Sequence, residues 1–199
     1  MQGSEPSAQS RGVNSKRVFD LTLGLPLTVG ALPIMAVTAA LVLVTSGWPI
    51  LIRQDRVGAF EQRIRVLKFR TMKTTAPLVA KSALTPGPGL YTPVGVFLRR
   101  WSLDEVPQLL NVMSGEMSLV GPRPALPTQN DLLALRRRTR VTELKPGITG
   151  LAQINGREAL TLSTKARFEA LYRRHHTVCY DLLILLRTFR ALLSGRGAL

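Results

Sequence analysis

From Leu21 to Ile52 the chain carries no charged side chain. A helix over Leu21–Val44 alone would measure about 36 Å, enough to cross roughly 30 Å of hydrocarbon. A run of that length is read as a membrane segment. It also far exceeds the roughly 7–15-residue apolar region of a cleavable signal peptide. Two features oppose a straight crossing. Pro33 lies near the midpoint, where it removes a backbone bond and bends the helix. Both flanks are basic, with Lys16 and Arg17 before and Arg53, Arg56 and Arg63 after. Lys- and Arg-rich flanks stay on the cytoplasmic side, and each leg about Pro33 reaches only about 18 Å. The expectation is a re-entrant anchor bent at Pro33. A kinked spanning helix is the alternative, and Pro26 offers a second bend.

The domain plan follows from that segment. Met1 to Ser15 is small, polar and expected to be disordered. Residues 16–48 form the anchor, closed by Gly47-Trp48-Pro49 with Trp48 as an interfacial aromatic. Residues 49–199 form one small domain on the cytoplasmic face. The 199-residue chain holds 27 Lys and Arg against 12 acidic residues, a formal charge of +15. Such a surface calls for anionic company: nucleic acid, anionic lipid or phosphorylated substrates. The concentration of apolar residues in one stretch argues against a nucleic-acid binder and for membrane lipid. Cys179 stands alone, which excludes an internal disulfide framework and a Cys-based zinc site.

Beyond the anchor, Pro49 to Leu67 alternates apolar and polar residues around Gly58 and predicts two short strands joined by a turn. Thr75 to Pro93, rich in Pro, Gly, Thr and Ala, reads as a long loop. Leu132 to Arg140 carries Arg136, Arg137, Arg138 and Arg140, read as a solvated helix end with anionic lipid as the alternative contact. Pro146 to Gly150 is expected to be a turn and Leu151 to Ile154 a short apolar element. Asn155-Gly156-Arg157 is a glycine-arginine turn able to bring N–H groups and a guanidinium onto a phosphate. Thr161 to His176 predicts a helix. His175 and His176 have no partner at ligand spacing and are read as surface residues. The apolar run from Asp181 to Arg190 is too short to span and predicts an interfacial or packed helix.

The chemistry is sought between Arg99 and Pro124, where Asp104 and Glu105 follow Arg99 and precede a Gly-Pro-Arg-Pro turn containing Arg123. Ser102 to Glu105 fits a capping box, with Ser102 capping a helix and Glu105 bonding back. Pro107 strains that reading, because it removes a bond to the carbonyl of Leu103. The functional reading is that one carboxylate attacks phosphorus while its neighbour holds Mg²⁺, which binds through one or two carboxylates plus substrate phosphates. Arginines then supply bidentate phosphate contacts. Neighbouring residues do not share a helix face, so the two carboxylates would differ in role.

Together these blocks resemble the bacterial sugar transferases known as monotopic phosphoglycosyl transferases. The resemblance runs from Lys16 to about Arg190. It rests on KRVFD (Lys16 to Asp20), the proline-bent anchor, Gly47-x-Pro49 with Gln54-x-Arg56-x-Gly58, KFRTM (Lys68 to Met72) and LRRWSLDEVPQLLNVMSGEMSLVGPRP. PGITGLAQINGR (Pro146 to Arg157), Tyr172 and Asp181 complete it. Two departures stand out. GPGLYTPVG (Gly87 to Gly95) lacks an Asp and an Arg frequent there in the family, and Glu169 stands where an Asp is common.

The resemblance implies an α/β mixed, mainly helical fold, with a re-entrant helix and interfacial amphipathic helices, in its minimal catalytic form. It implies attack by Asp104 on the β-phosphate of a UDP-sugar, release of UMP, and transfer of the phosphosugar from Asp104 to polyprenyl (undecaprenyl) phosphate. Glu105 would be the Mg²⁺-associated partner beside Asp104. Arg99, Arg123 and Arg157 are expected on phosphate, with Lys68 and Arg70 on phosphate or headgroup. The location implied is the cytoplasmic face of the bacterial inner membrane. A non-catalytic basic scaffold explains the charge and the anchor but not the ordered motifs. The sugar, the pathway and whether the chain forms a homo-oligomer are not legible.

Overall fold

Alternation of apolar and polar side chains gives the first regular element after the anchor. β1 (Leu51–Val57) and β2 (Arg63–Phe69) pair antiparallel from Leu51 opposite Phe69 to Val57 opposite Arg63, as the pattern around Gly58 predicts. On β2, Ile64, Val66 and Phe69 turn inward while Arg63 and Arg65 face out. These details come from a computed structural model, which describes residues 8–73, 89–156 and 159–193. Arg157 and residues 74–88, most of the expected loop, lie outside the described residues.

The anchor is one continuous helix, α1 (Ala8–Ser46), with Pro26 and Pro33 inside it. It begins within the Met1–Ser15 stretch expected to be disordered. Ser15–Ser46 is long and apolar enough to cross a membrane by length and composition. Leu25, Val29, Leu32, Val37 and Val44 are exposed along it.

Both ends of α1 dock on the domain. At its start Lys16 pairs with Asp181 at 2.6 Å, and Arg17 donates to the carbonyls of Val112 and Met113 at 2.6 and 2.7 Å. Near its end Val42 is fully buried with Phe69 and Leu98.

After β2 the chain runs through α2 (Gly95–Arg100), a single 3-10 turn at Leu103–Glu105 and α3 (Gln108–Ser114). Pro107 sits at the N-cap of α3, where its missing N–H removes no intrahelical bond. The proline therefore separates the carboxylate pair from the helix instead of bending it.

β3 (Ser118–Val120) pairs parallel with β4 (Gly147–Thr149). The Pro146–Gly150 segment expected to be a turn is thus largely strand. Its glycines serve close approach: a Cβ on Gly147 would lie 2.0 Å from the Gly121 nitrogen, and one on Gly150 2.0 Å from the Gly121 oxygen. Only glycine lets the two backbones meet there.

α4 (Asn130–Arg138) precedes β4; α5 (Leu151–Ile154), α6 (Leu162–His175) and α7 (Val178–Leu193) follow it. Thr161 caps α6 by accepting from the Thr164 N–H. His175 and His176 are exposed, as expected.

At the arginine-rich end of α4, Arg137, Arg138 and Arg140 are exposed as expected, and Arg136 departs from that expectation. Arg136 is only 4% exposed and pairs with Glu169, 2% exposed, while Arg137 pairs with Glu61 and Arg140 with Glu143. A bare guanidinium is costly to bury, so the paired carboxylate is what permits it.

The main core joins β2, α3, β3, α5, α6 and α7 through Val66, Val112, Met117, Val120, Leu151, Tyr172 and Ile184. α7 turns Asp181 and Ile184 inward and leaves Leu182, Leu186 and Phe189 exposed, an amphipathic division.

Candidate active site

The chain reverses after α2 through Ser102, whose φ of 55° lies in the left-handed region. Such a conformation costs a non-glycine residue on the order of 1 kcal/mol and is retained where the surroundings fix it. Its effect is to turn Asp104 inward, so that this carboxylate is 7% exposed. The capping box is overturned: Ser102 makes no side-chain cap bond, and the Glu105 side chain points elsewhere.

Glu105 is held by two cations. Lys68 Nζ lies 2.8 Å and Arg123 Nη2 3.0 Å from Glu105 Oε1. Lys68 comes from β2 and Arg123 from the turn after β3, so Glu105 fastens three segments together. Burial works to raise its pKa, but Arg123 and Lys68 outweigh this and hold it well below the ordinary carboxylate range. Oε2 takes part in neither contact.

Asp104 is treated differently by its surroundings. Among the described residues none hydrogen-bonds or ion-pairs with its carboxylate. Burial, reinforced by the negative charge of Glu105, pushes its pKa up to about 6, against the opposing pull of Lys68, Arg99 and Arg123. Adjacent carboxylates with such divergent environments are suited to different tasks: one is ionised and braced, the other buried and unpartnered beside three cations.

The other expected residues divide. Arg99 acts on Asp104 through its charge, but its guanidinium donates to Thr71 Oγ1 at 3.1 Å and Tyr91 Oη at 3.2 Å and lies over the Tyr91 ring. Arg70 is elsewhere. It is 6% exposed and donates to the carbonyls of Ser46, Gly47 and Trp48, closing the C-terminal end of α1. In place of the phosphate or headgroup contact expected of it, Arg70 donates to the Ser46 carbonyl that ends α1, which has no partner within the helix, and to the two carbonyls that follow.

Asn111 carried no recognisable signal in the sequence, yet it is central to the support of the site. Its Oδ1 accepts from Leu67 N–H at 3.0 Å, and its Nδ2 donates to the Arg65 carbonyl at 2.8 Å and Glu116 Oε2 at 2.7 Å. One amide thus pairs with the edge of β2 as a neighbouring strand would, fixing α3 against the strand that carries Lys68.

The family model described as bacterial sugar transferase matches residues 11–195. The chain belongs to the bacterial sugar transferase family. Among curated proteins it is 40% identical to the uncharacterized sugar transferase EpsL of Bacillus subtilis, over 92% of this chain and 89% of that protein. It is 33% identical to the exopolysaccharide production protein ExoY of Sinorhizobium fredii, over 92% and 88% of the two chains. It is 36% identical to the UDP-glucose:undecaprenyl-phosphate glucose-1-phosphate transferase of Escherichia coli, over 89% of this chain but 40% of that longer protein. Membership places Asp104, Glu105, Lys68 and Arg123 in an enzyme, a phosphoglycosyl transferase.

The family resemblance implies Mg²⁺, and the donors can be tested against it. No group of three or more His, Cys, Asp or Glu gathers among the described residues, so no all-protein cage is built. Mg²⁺, however, is commonly held by one or two carboxylates plus substrate phosphates. The free Asp104 carboxylate and the unused Glu105 oxygen fit that donor set.

Proposed function

We propose that this transferase moves a sugar-1-phosphate from a UDP-sugar to undecaprenyl phosphate through a covalent bond to Asp104. A relative from Escherichia coli is named for that overall transfer with UDP-glucose, and one from Salmonella typhimurium as an undecaprenyl-phosphate galactose phosphotransferase. The observation that carries the reading is the buried, unpartnered carboxylate of Asp104 beside the braced carboxylate of Glu105.

An Asp104 carboxylate oxygen attacks the β-phosphorus, the bond from that phosphorus to the bridging oxygen breaks, and UMP leaves with the bond's electrons. A phosphate oxygen of undecaprenyl phosphate then attacks the same phosphorus. The aspartyl–phosphorus bond breaks, restoring the carboxylate and giving undecaprenyl-diphospho-sugar. Phosphoryl transfer of this kind depends on positioning and charge stabilisation, which Lys68, Arg99 and Arg123 supply, with Arg157 as a further phosphate contact. Asp104 and Glu105 would hold Mg²⁺, which when bound offsets the charge of the diphosphate.

The anchor belongs to the same reading. A straight span puts its ends on opposite faces of roughly 30 Å of hydrocarbon. Here Lys16 and Asp20, before Pro33, and Val42, after it, all dock on one small domain. That supports a helix bent at Pro33 that re-enters the cytoplasmic face of the inner membrane, with the exposed side chains of α7 seated at the interface.

In membranes, Asp104→Asn is expected to abolish UMP release while leaving expression and membrane association intact. Protein mixed with a UDP-sugar labelled in its β-phosphate should carry the label on Asp104 by mass spectrometry. An adduct elsewhere, or kinetics of direct transfer through a ternary complex, would overturn the reading.

A further inference from the structure

Pro122 and Pro124 deprive the Gly121–Pro124 turn of two of its own N–H donors. Three successive carbonyls of the turn are each bonded by a donor from elsewhere. The Pro122 carbonyl accepts from Gly147 N–H at 2.9 Å, that of Arg123 from Arg136 Nη2 at 2.9 Å and that of Pro124 from Arg56 Nη1 at 3.2 Å. Peptide units are planar. Fixing the carbonyls of Pro122 and Arg123 therefore fixes the planes on both sides of the Arg123 Cα, and with them the direction of its Cα–Cβ bond.

Arg136 is in turn rigidly held. Its Nε lies 2.8 Å from Glu169 Oε2 and its Nη2 2.6 Å from Glu169 Oε1, with both side chains almost wholly buried. A buried ion pair contributes little net stability against an apolar pair of the same shape. The third bond, to the Arg123 carbonyl, lies outside the pair and ties it to the Gly121–Pro124 turn.

We propose that Arg136, locked by Glu169, is a positioning residue for Arg123: it sets the direction from which the Arg123 guanidinium reaches Glu105 and the substrate diphosphate. The second half of that statement rests on the transferase reading; the first does not. The pair joins α4 to α6 and lies outside the carboxylate cluster, so it touches no reacting atom.

The experiment uses the full chain and two readouts. Removing one partner of a buried pair can unfold a protein, so Arg136 and Glu169 are replaced together by methionines, alongside the milder Arg136→Lys. The first readout is thermal unfolding of Arg123→Ala, Glu105→Gln and the double variant, which gives the Arg123–Glu105 coupling in each background. That coupling is expected to be lost in the methionine pair and weakened by Arg136→Lys. The second is kcat/KM for UMP release. The methionine pair is expected to lower it about 10-fold in the wild-type background and by less than about 2-fold when Arg123 is already Ala, because effects through one shared residue do not add.

A coupling that survives undiminished in the methionine pair overturns the proposal whatever the activity does. So do activity losses that multiply fully in the Arg123→Ala background. Loss of coupling in a chain that releases no UMP from any UDP-sugar supports the positioning role and sinks the transferase reading instead.

Discussion

Asp20 Oδ1 in the anchor helix accepts from the Ser118 hydroxyl at 2.9 Å, and the same oxygen accepts from the Leu119 N–H at 3.0 Å. Asp20 is 2% exposed and Ser118 fully buried. The first turns of α1 therefore hold the strand that leads directly into the Gly121–Pro124 turn. Four residues before Asp20, Lys16 pairs with Asp181, whose Oδ1 lies 2.6 Å from the Tyr172 hydroxyl. That hydroxyl also lies 3.1 Å from the Val120 carbonyl. Anchor, β3 and the arginine turn are one continuous hydrogen-bonded unit.

Asp20→Ala removes the acceptor and leaves a buried N–H and hydroxyl without a partner. Each such group costs about 1–3 kcal/mol, so a loss of roughly 2–6 kcal/mol is expected, seen as a lower Tm in detergent. UMP release should fall with it, since β3 leads into the turn that carries Arg123. Asp20→Asn keeps an acceptor oxygen and should lose less on both measures. If the two variants unfold alike and remain fully active, the coupling between anchor and site is wrong.

Burial makes the Asp104 charge a burden on the fold. Its pKa is about 6 in the folded protein against an ordinary aspartate value of 3.8. Below 3.8 the group is protonated in both states and costs nothing. As pH rises from 3.8 through about 6 the unfolded chain ionises first, and stability is lost. Above that window the full cost remains, on the order of 2–3 kcal/mol. Asp104→Asn removes the charge and nearly preserves the shape. In metal-free detergent it should unfold at a higher temperature than wild type at pH 7.5, with the advantage shrinking towards pH 4. A Tm difference that stays constant across that range would contradict the burial argument. Such a variant, more stable and inactive, is the signature of a site held against its own stability.

Which parts of this were legible in the sequence follows from the range of the interactions that fix them. The β1–β2 hairpin is local: alternation and Gly58 suffice, and it forms as expected. The same holds for α6, whose start is marked by Thr161. Of the cations expected around Asp104 and Glu105, Lys68 and Arg123 reach Glu105, Arg99 bonds to Thr71 and Tyr91, and Arg70 lies at the end of α1.

At the site, the departures concern partners distant in sequence. Arg70 and Arg136 look like any surface arginines until Ser46 and Glu169 are brought to them by the fold. Ser102 and Glu105 have the spacing of a capping box. The Lys68 and Arg123 charges compete more strongly for the carboxylate than a backbone N–H does, so Glu105 turns away. β3 and β4 are three residues each, too short for any periodicity, and their parallel pairing depends on glycines at three separate positions.

The two docked ends of α1 make the proposed re-entrant topology testable. Lys16 and Asp20 dock before Pro33, Val42 and the Arg70-capped carbonyls after it. Were the helix to cross the bilayer straight, one of these attachments would be torn from the domain, and each buries charge or apolar surface that water or lipid would not replace. The prediction is that both flanks face the cytoplasm. Single cysteines at Ser15 and at Trp48, in a Cys179→Ser background, should both react with a membrane-impermeant maleimide in inside-out vesicles. Neither should react in intact spheroplasts. Labelling of one flank from each side would mean a spanning helix, and with it a different arrangement of the domain at the membrane. A further arm replaces Pro33 with Leu, which restores the backbone bond a straight helix requires. On the proposal that Pro33 bends the anchor and so sets the topology, this variant should shift one flank towards outside labelling and lower UMP release together, with the Asp20 contacts on β3 being lost.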